Sequence, residues 1–409
     1  MGLARRGTRQ LSGLGPSMPL LLLLLTLLLL CGQQRSEAAV SDYDDYNPNG
    51  TDNGPPARRN GLCPRAIPAE VVTDGSNGTF LILPEASRAV LGSPMTVVLL
   101  PTFYTLIFLV GLPANALALW VLATRVEKHP STVFLMNLAT ADLLLGLLLP
   151  LKISYYFLGN HWPFGETTCR FATATFYGNM YCSILLLACI STDRYLAVAH
   201  PFFARSCRSP AVAVATCAVV WGVALLFSLP LMLFRQSFPV QGTRQTLCHD
   251  ALPRDQEAEY YYYYFVTLVA CGFLAPLLII ALSGGATLRV LLSHSERYAS
   301  AVKLTALVLL SVTVCYTPSH VLLLLHYTRP CSWATGTLYV AYMASLALST
   351  CNSCIDPFIY CYVSDEFRAK VKGRLFGPRK SSAISLKTSK ETLPSRNCLS
   401  PVASSAHPG

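Results

Sequence analysis

Residues 96–124 read TVVLLPTFYTLIFLVGLPANALALWVLAT, an unbroken stretch without one charged side chain. At the rise of an α-helix it is long enough to cross the hydrocarbon core of a bilayer. Six more runs of spanning length follow, at about 131–158, 168–199, 210–234, 260–293, 300–327 and 337–362. Periodicity alone does not separate such runs from the buried helices of a soluble protein, but their length and repetition do. Short connections force antiparallel neighbours into one bundle. Only the fourth connection, about 235–259, is sizeable.

Composition agrees with this reading. Charged residues make up 13% of the chain and hydrophobic ones 53%. A soluble domain carries about 25% charged residues. Lipid must therefore cover much of this surface. The net charge of +10 would suit nucleic acid, but the basic residues cluster at the ends of the apolar runs. Arg125 and Lys128 follow the first run, Arg205 and Arg208 the third, and Arg368, Lys370, Lys372 and Arg374 the seventh. That is the pattern of topology control. It puts these loops in the cytoplasm and the N-terminus outside, and it argues against a nucleic-acid partner.

The expected organisation follows. Arg5, Arg6 and Arg9 precede the apolar run Met18 to Leu30, which is too short to span, so 1–39 reads as a cleaved signal peptide. Residues 40–94 form a polar extracellular segment with glycosylation sequons at Asn49 and Asn77. Residues 95–363 hold the bundle. Residues 364–376 read as an amphipathic helix on the inner leaflet, capped by Ser364, with Phe367, Val371 and Leu375 on one face. Residues 377–409 are a disordered tail whose hydroxyls at Ser381, Ser382, Ser385 and Thr388 are candidate phosphorylation sites. The fold class is thus an all-α plasma-membrane protein: a seven-transmembrane helix bundle with a short eighth helix and disordered termini.

Polar residues inside spans are costly and mark function. Asp142 lies in the middle of the second span, Ser183 in the third, and Asn352 and Asp356 in the seventh. Two acids in one bundle core call for a cation, shared protons or water. A sodium ion with oxygen ligands and a protonated, water-bridged network both satisfy them. Asp193-Arg194-Tyr195 closes the third span at its cytoplasmic edge, where Asp193 and Arg194 can form an ion pair. Pro357 permits a kink in the seventh span, just before Tyr360. Cys169 and Cys248 both face an oxidising compartment, so a bridge between them is expected. The chain holds no nucleophile elbow, HExxH or Walker loop, so nothing points to an enzyme.

Taken together, Gly111-Leu112-Pro113-Ala114-Asn115, Leu138 to Asp142, Asp193-Arg194-Tyr195, Trp221 and Asp356-Pro357-Phe358-Ile359-Tyr360 resemble the rhodopsin-like G-protein-coupled receptors. The resemblance covers about 95–376. Within that class, Cys248-His249-Asp250-Ala251-Leu252, the pair His326-Tyr327, Pro130 to Leu145 and His161 to Arg170 are similar to the protease-activated receptors.

This resemblance implies a mechanism. An extracellular trypsin-like serine protease, of thrombin type, cuts the N-terminal segment, and the new N-terminus folds back as a tethered ligand. The best candidate is Cys63-Pro64-Arg65, cut before Ala66, with Arg58 and Arg59 as rivals. The ligand is then Ala66-Ile67-Pro68-Ala69-Glu70-Val71, with Ile67 where the family pattern has an aromatic residue. The resemblance carries ligand contacts onto Tyr177, His249, Asp250, His326, Tyr327 and Tyr342. It carries the G-protein switch onto Asp193, Arg194, Tyr195, Pro357 and Tyr360, with heterotrimeric G proteins of the Gq and G12/13 types inside. It also implies arrestin on the phosphorylated tail. No cofactor is implied beyond the allosteric sodium ion. Asp356 replaces the commoner Asn, Gly284 replaces Tyr, and Tyr298 stands where many relatives hold an acid. Cys63 and Cys331 are extra outer cysteines, which either pair or stay free. The competing readings are a receptor for a soluble peptide without cleavage, a non-signalling cofactor receptor, and an ion transporter. The last would show repeat-related halves, and none is legible.

Overall fold

The computed structural model describes residues 70–73, 79–251, 262–292, 299–328 and 337–375. The proposed signal peptide, the cut site, Ala66 to Ala69, Asn49, Asn77, Cys63, Cys331, Tyr298 and the tail lie outside these residues. Seven helices are long and apolar enough to cross a membrane: Ser87–Thr124, Pro130–Phe157, Glu166–Ala199, Pro210–Leu233, Tyr263–Val290, Val302–Leu325 and Leu338–Val363. They are called spans one to seven below. Their outward faces carry large exposed apolar side chains, such as Leu106, Leu109, Leu147, Leu226 and Leu282. The inward faces bury Tyr104, Leu122, Leu135, Leu138, Ile184 and Tyr360. An apolar outside around a mixed inside is the arrangement that a lipid solvent selects.

Among the described residues, three π-helical segments interrupt the spans: Met95–Leu99, Leu268–Leu274 and Val312–Tyr316. Each ends two residues before a proline, Pro101, Pro276 and Pro318 respectively. A proline ring clashes with the carbonyl four residues back and donates no N–H. A widened turn relieves that clash locally.

Span seven solves the same problem differently. It breaks at Cys351, between helices Thr337–Thr350 and Asn352–Val363. The kink expected at Pro357 therefore shows as an interruption further out. Pro357 leaves the carbonyl of Ser353 without its helical donor. Asn115 Nδ2 of span one donates to that carbonyl at 2.8 Å, and to Gly111 O at 3.0 Å.

The face that carries the long loop adds four short strands to the helical bundle. Strands β1 (Glu70–Thr73) and β2 (Thr79–Ile82) pair antiparallel, with Val71 opposite Leu81. Strands β3 (Ser237–Pro239) and β4 (Thr246–Cys248) form a second hairpin in the long loop. A parallel bridge from Leu81 to Val240 joins the two. The Cys169–Cys248 disulfide, with Cα atoms 5.8 Å apart, fastens β4 to the top of span three.

Inside, a seven-residue helix, Pro201–Cys207, follows span three. Helix Asp365–Leu375 follows span seven. Ser364 Oγ accepts from Phe367 N at 3.1 Å, the cap read from the sequence. Phe367 is buried with its ring edge-on to Tyr360.

Candidate functional site

A pocket opens beneath the outer hairpin, between spans two, three and seven. It encloses about 740 Å³ of empty space, part of it open to solvent. Tyr177, His249, Asp250 and Tyr342 all line it. His326 and Tyr327 lie on helix Thr317–Thr328, but their side chains are outside the described ones.

The loop delivers Asp250 by a sharp turn. His249 adopts φ 66°, in the left-handed region. Its backbone N donates to Gln236 O at 2.8 Å, and its ring Nδ1 lies 2.6 Å from Gln236 Oε1. The chain then points Asp250 into the pocket, where it is only 4% exposed. Tyr155 donates its hydroxyl to Asp250 Oδ2 at 2.5 Å. Across the pocket the hydroxyls of Tyr177 and Tyr342 lie 3.1 Å apart, joining span three to span seven. Half-buried Lys152 rests its ammonium 3.6 Å from the ring centre of Phe176 and 5.6 Å from that of Tyr104. Such cation–π contacts hold a cation in a low-dielectric wall. The pocket thus presents the Asp250 carboxylate, the Lys152 ammonium and the His249 imidazole among aromatic faces.

The loop's position is set from span three. Glu166 accepts from Gln236 N (2.8 Å), Ser237 N (2.7 Å) and Ser237 Oγ (2.5 Å), and pairs with Arg170 at 2.6 Å. No motif or spacing in the sequence marks Glu166 or Tyr155, whereas Lys152 carries the same signal as Asp142, a charged residue inside a span.

A second polar cluster lies in the bundle core. Asp142 Oδ1 accepts from Ser353 Oγ at 2.8 Å. Tyr360 OH lies 2.9 Å from Asn115 Oδ1 and 3.4 Å from Asp142 Oδ2. Its single proton favours the nearer acceptor. Asn352 donates to Asp356 Oδ2 at 2.7 Å and accepts from Ser311 at 2.5 Å. Asp142, Ser183, Asn352 and Asp356 are all at most 3% exposed. Among the described residues, Asp356 Oδ1, Ser183 Oγ and Asn179 Oδ1 are buried without a hydrogen-bond partner. Two buried carboxyls with other oxygens around them form an oxygen-only donor set, which fits a hard cation such as sodium and equally fits a protonated, hydrogen-bonded pair.

The third cluster is at the far end of span three from the pocket, where the expected Asp193–Arg194 ion pair is present but Arg208 is the closer partner of Asp193. Arg208 grips Asp193 with two bonds, Nε to Oδ1 at 2.6 Å and Nη2 to Oδ2 at 2.9 Å. Ser131 adds a third at 2.7 Å. Arg194 Nε reaches Asp193 only at 3.9 Å. The reason is helical geometry, because successive residues do not face each other. An arginine from the next loop can approach the carboxylate head-on and bind it bidentately. No spacing in the sequence links Arg208 to Asp193. Tyr195 OH meets His200 Nε2 at 3.0 Å. Trp221 donates to Asn137 Oδ1 at 3.0 Å, joining spans four and two.

Comparison with known proteins places this geometry in a family. The model for the seven-transmembrane receptors of the rhodopsin family matches residues 114–360. Proteinase-activated receptor 4 of Mus musculus is 50% identical over 322 residues, covering 79% of this chain and 81% of that receptor. The Homo sapiens receptor 4 is 49% identical over 80% of this chain and 85% of its own length. Proteinase-activated receptor 3 of Homo sapiens is 38% identical over 80% and 87% respectively. These are receptors rather than enzymes. The chain belongs to the proteinase-activated receptors, within the rhodopsin-type seven-transmembrane family.

Proposed function

We propose that this receptor is switched on by proteolysis. An extracellular trypsin-like serine protease, of thrombin type, cuts between Arg65 and Ala66 and frees a ligand that begins Ala66-Ile67-Pro68. The observation that carries the proposal is the buried carboxylate of Asp250, turned into a largely aromatic pocket that also holds Lys152 and His249. Cleavage creates an amine with a pKa near about 8, largely charged at pH 7. In this reading the amine meets Asp250. Tyr155 holds the carboxylate in place, and Tyr177 and Tyr342 flank Ile67 and Pro68. Arg65 suits a protease pocket whose acid pairs with guanidinium. Tethering supports the reading energetically, since a linked peptide acts at an effective concentration of order mM. Strands β1 and β2 support it structurally. They dock the chain just after Ala69 on the same loop that carries Asp250.

Binding would then bias spans three and seven, which the Tyr177–Tyr342 contact joins. The response passes to Asn352, Asp356, Pro357 and Tyr360, and to Asp193, Arg194 and Tyr195, where a heterotrimeric G protein of the Gq or G12/13 type is engaged. Arrestin would act on the phosphorylated tail. Asp142, Ser183 and Asp356 would hold a sodium ion that favours the resting state by neutralising the paired acids. The N-terminus is extracellular and the receptor sits in the plasma membrane.

Replacing Arg65 with Ala tests the reading. Protease-evoked calcium release should vanish, while a synthetic AIPAEV peptide still acts. Intact protease signalling in that variant overturns it. A peptide response with no protease response in the unaltered receptor would favour a soluble-peptide receptor.

A further inference from the structure

Among the side chains that span two presents to the pocket are Lys152 and Tyr155, three residues apart. At that spacing they share one helix face. Tyr155 is the nearer to the long loop and donates its hydroxyl to Asp250 Oδ2. Lys152 sits about 4.5 Å further along the helix axis, away from the loop. Its ammonium lies 3.6 Å from the ring centre of Phe176 and 5.6 Å from that of Tyr104. Phe176 also lines the smaller cavity beneath, so this charge stands towards the inner end of the pocket. Ring faces attract a cation through their quadrupoles but carry no net charge. They position the lysine without neutralising it. The pocket is therefore bipolar along its depth, with a carboxylate near the loop and an ammonium deeper in.

We propose that Lys152 is a second recognition subsite in this pocket, one that takes a carboxylate or carbonyl oxygen. With Asp250 it selects a short segment that carries an amine at one end and an oxygen acceptor one or two residues on. Like charges repel, and more strongly where water is excluded. An amine therefore stops at Asp250 and does not pass on to Lys152, which fixes the direction in which the segment lies. An extended chain advances about 3.3–3.6 Å per residue, so the step between the subsites is met one or two residues after the amine. A carboxylate gains most at Lys152, because a hydrogen bond between two ions is stronger than one to a neutral carbonyl. In the native chain the oxygen is a carbonyl of Ala66 or Ile67, the first two residues after the proposed cut. That native assignment rests on the tethered-ligand reading above. The preference for an acid at Lys152 does not.

Truncated peptides locate the subsite. Ala-Ile, Ala-Ile-Pro, Ala-Ile-Pro-Ala and the full AIPAEV would each be made with a free carboxylate and with an amide at the C-terminus. Heat stability of the purified full-length receptor reads their binding, since a ligand of the folded state raises its melting temperature. The unaltered receptor would be compared with Lys152→Met and Lys152→Arg. Methionine keeps an unbranched stem against the Phe176 and Tyr104 rings and removes the charge. Arginine keeps the charge. In the unaltered receptor the acid should reach half-maximal stabilisation at about 10-fold lower concentration than the amide at two or three residues. The two forms should be equal for full AIPAEV. Lys152→Arg should keep the preference and Lys152→Met should abolish it, with Lys152→Gln in its place where the methionine variant does not fold. Equal acids and amides at every length, no stabilisation by any short acid, or a preference that survives loss of the Lys152 charge overturns the subsite. If AIPAEV amide neither stabilises the receptor nor evokes calcium release, the tethered-ligand reading falls, and the short acid–amide pairs still decide Lys152.

Discussion

In the proposed mechanism Asp250 receives the new amine, and its neighbours allow a clean test. Asn in its place keeps an oxygen for the Tyr155 hydroxyl but removes the charge. A charge-assisted hydrogen bond contributes about 1.5–3 kcal/mol. Asp250→Asn should therefore raise the AIPAEV concentration for half-maximal calcium release by roughly 10- to 100-fold. N-acetylated AIPAEV should be weak on the unaltered receptor and no weaker on the variant. An unchanged dose–response curve for the free peptide removes Asp250 from the role. Sequence and structure diverge most at this scale. Asp142, Asn352 and Asp356 stand out in a sequence because polar residues in an apolar run are expensive. Their meeting in one buried cluster is what the structure adds. The grip of Arg208 on Asp193 was invisible. It depends on where the short helix Pro201–Cys207 delivers the next residue, a matter of tertiary placement rather than of spacing.

At the scale of elements, Asn115 and Pro357 form one unit across spans one and seven. Asn115 occupies the Ser353 carbonyl that Pro357 cannot serve. Asn115→Ala should leave that buried carbonyl unsatisfied and destabilise the receptor by about 1–3 kcal/mol, read as a lower melting temperature. Pro357→Ala restores an N–H that can close the helical bond, so the Asn115→Ala penalty should shrink in the double variant. Equal penalties in both backgrounds would show the two residues to be independent. The seven spans were legible because crossing a bilayer demands a length that one dimension displays. The Ser364 cap and the buried face at Phe367 were legible for a related reason, since both are local. The four outer strands were not. Each is three or four residues long, too short for an alternating pattern to stand out, and the bridge that joins the two hairpins, Leu81 to Val240, links residues far apart along the chain. The prolines were visible, but whether each widens a turn or recruits a partner on another helix is decided by the neighbours.

Across the whole molecule, the outer pocket and the inner acids are neighbours. Leu145 and Phe176 line the pocket and also a smaller cavity below it, walled by Asn179, Tyr316 and Ser353. If a sodium ion at Asp142 and Asp356 favours the resting state, linkage requires it to weaken agonist binding by the same factor by which agonist weakens sodium. Replacing sodium with choline at constant ionic strength should therefore raise AIPAEV affinity, and Asp142→Asn should abolish the difference. An effect of equal size in the variant would assign it to salt in general.

The central claim is that the extracellular segment carries both the cut site and the ligand, with the bundle relaying their meeting inward. Its most direct test is N-terminal sequencing of the receptor from cells treated with thrombin or trypsin, with calcium release followed in the same cells. A new N-terminus reading Ala-Ile-Pro-Ala-Glu-Val, from Ala66, should appear in step with the calcium signal. A calcium signal with the N-terminus uncut, or cut only after Arg58 or Arg59, would contradict it.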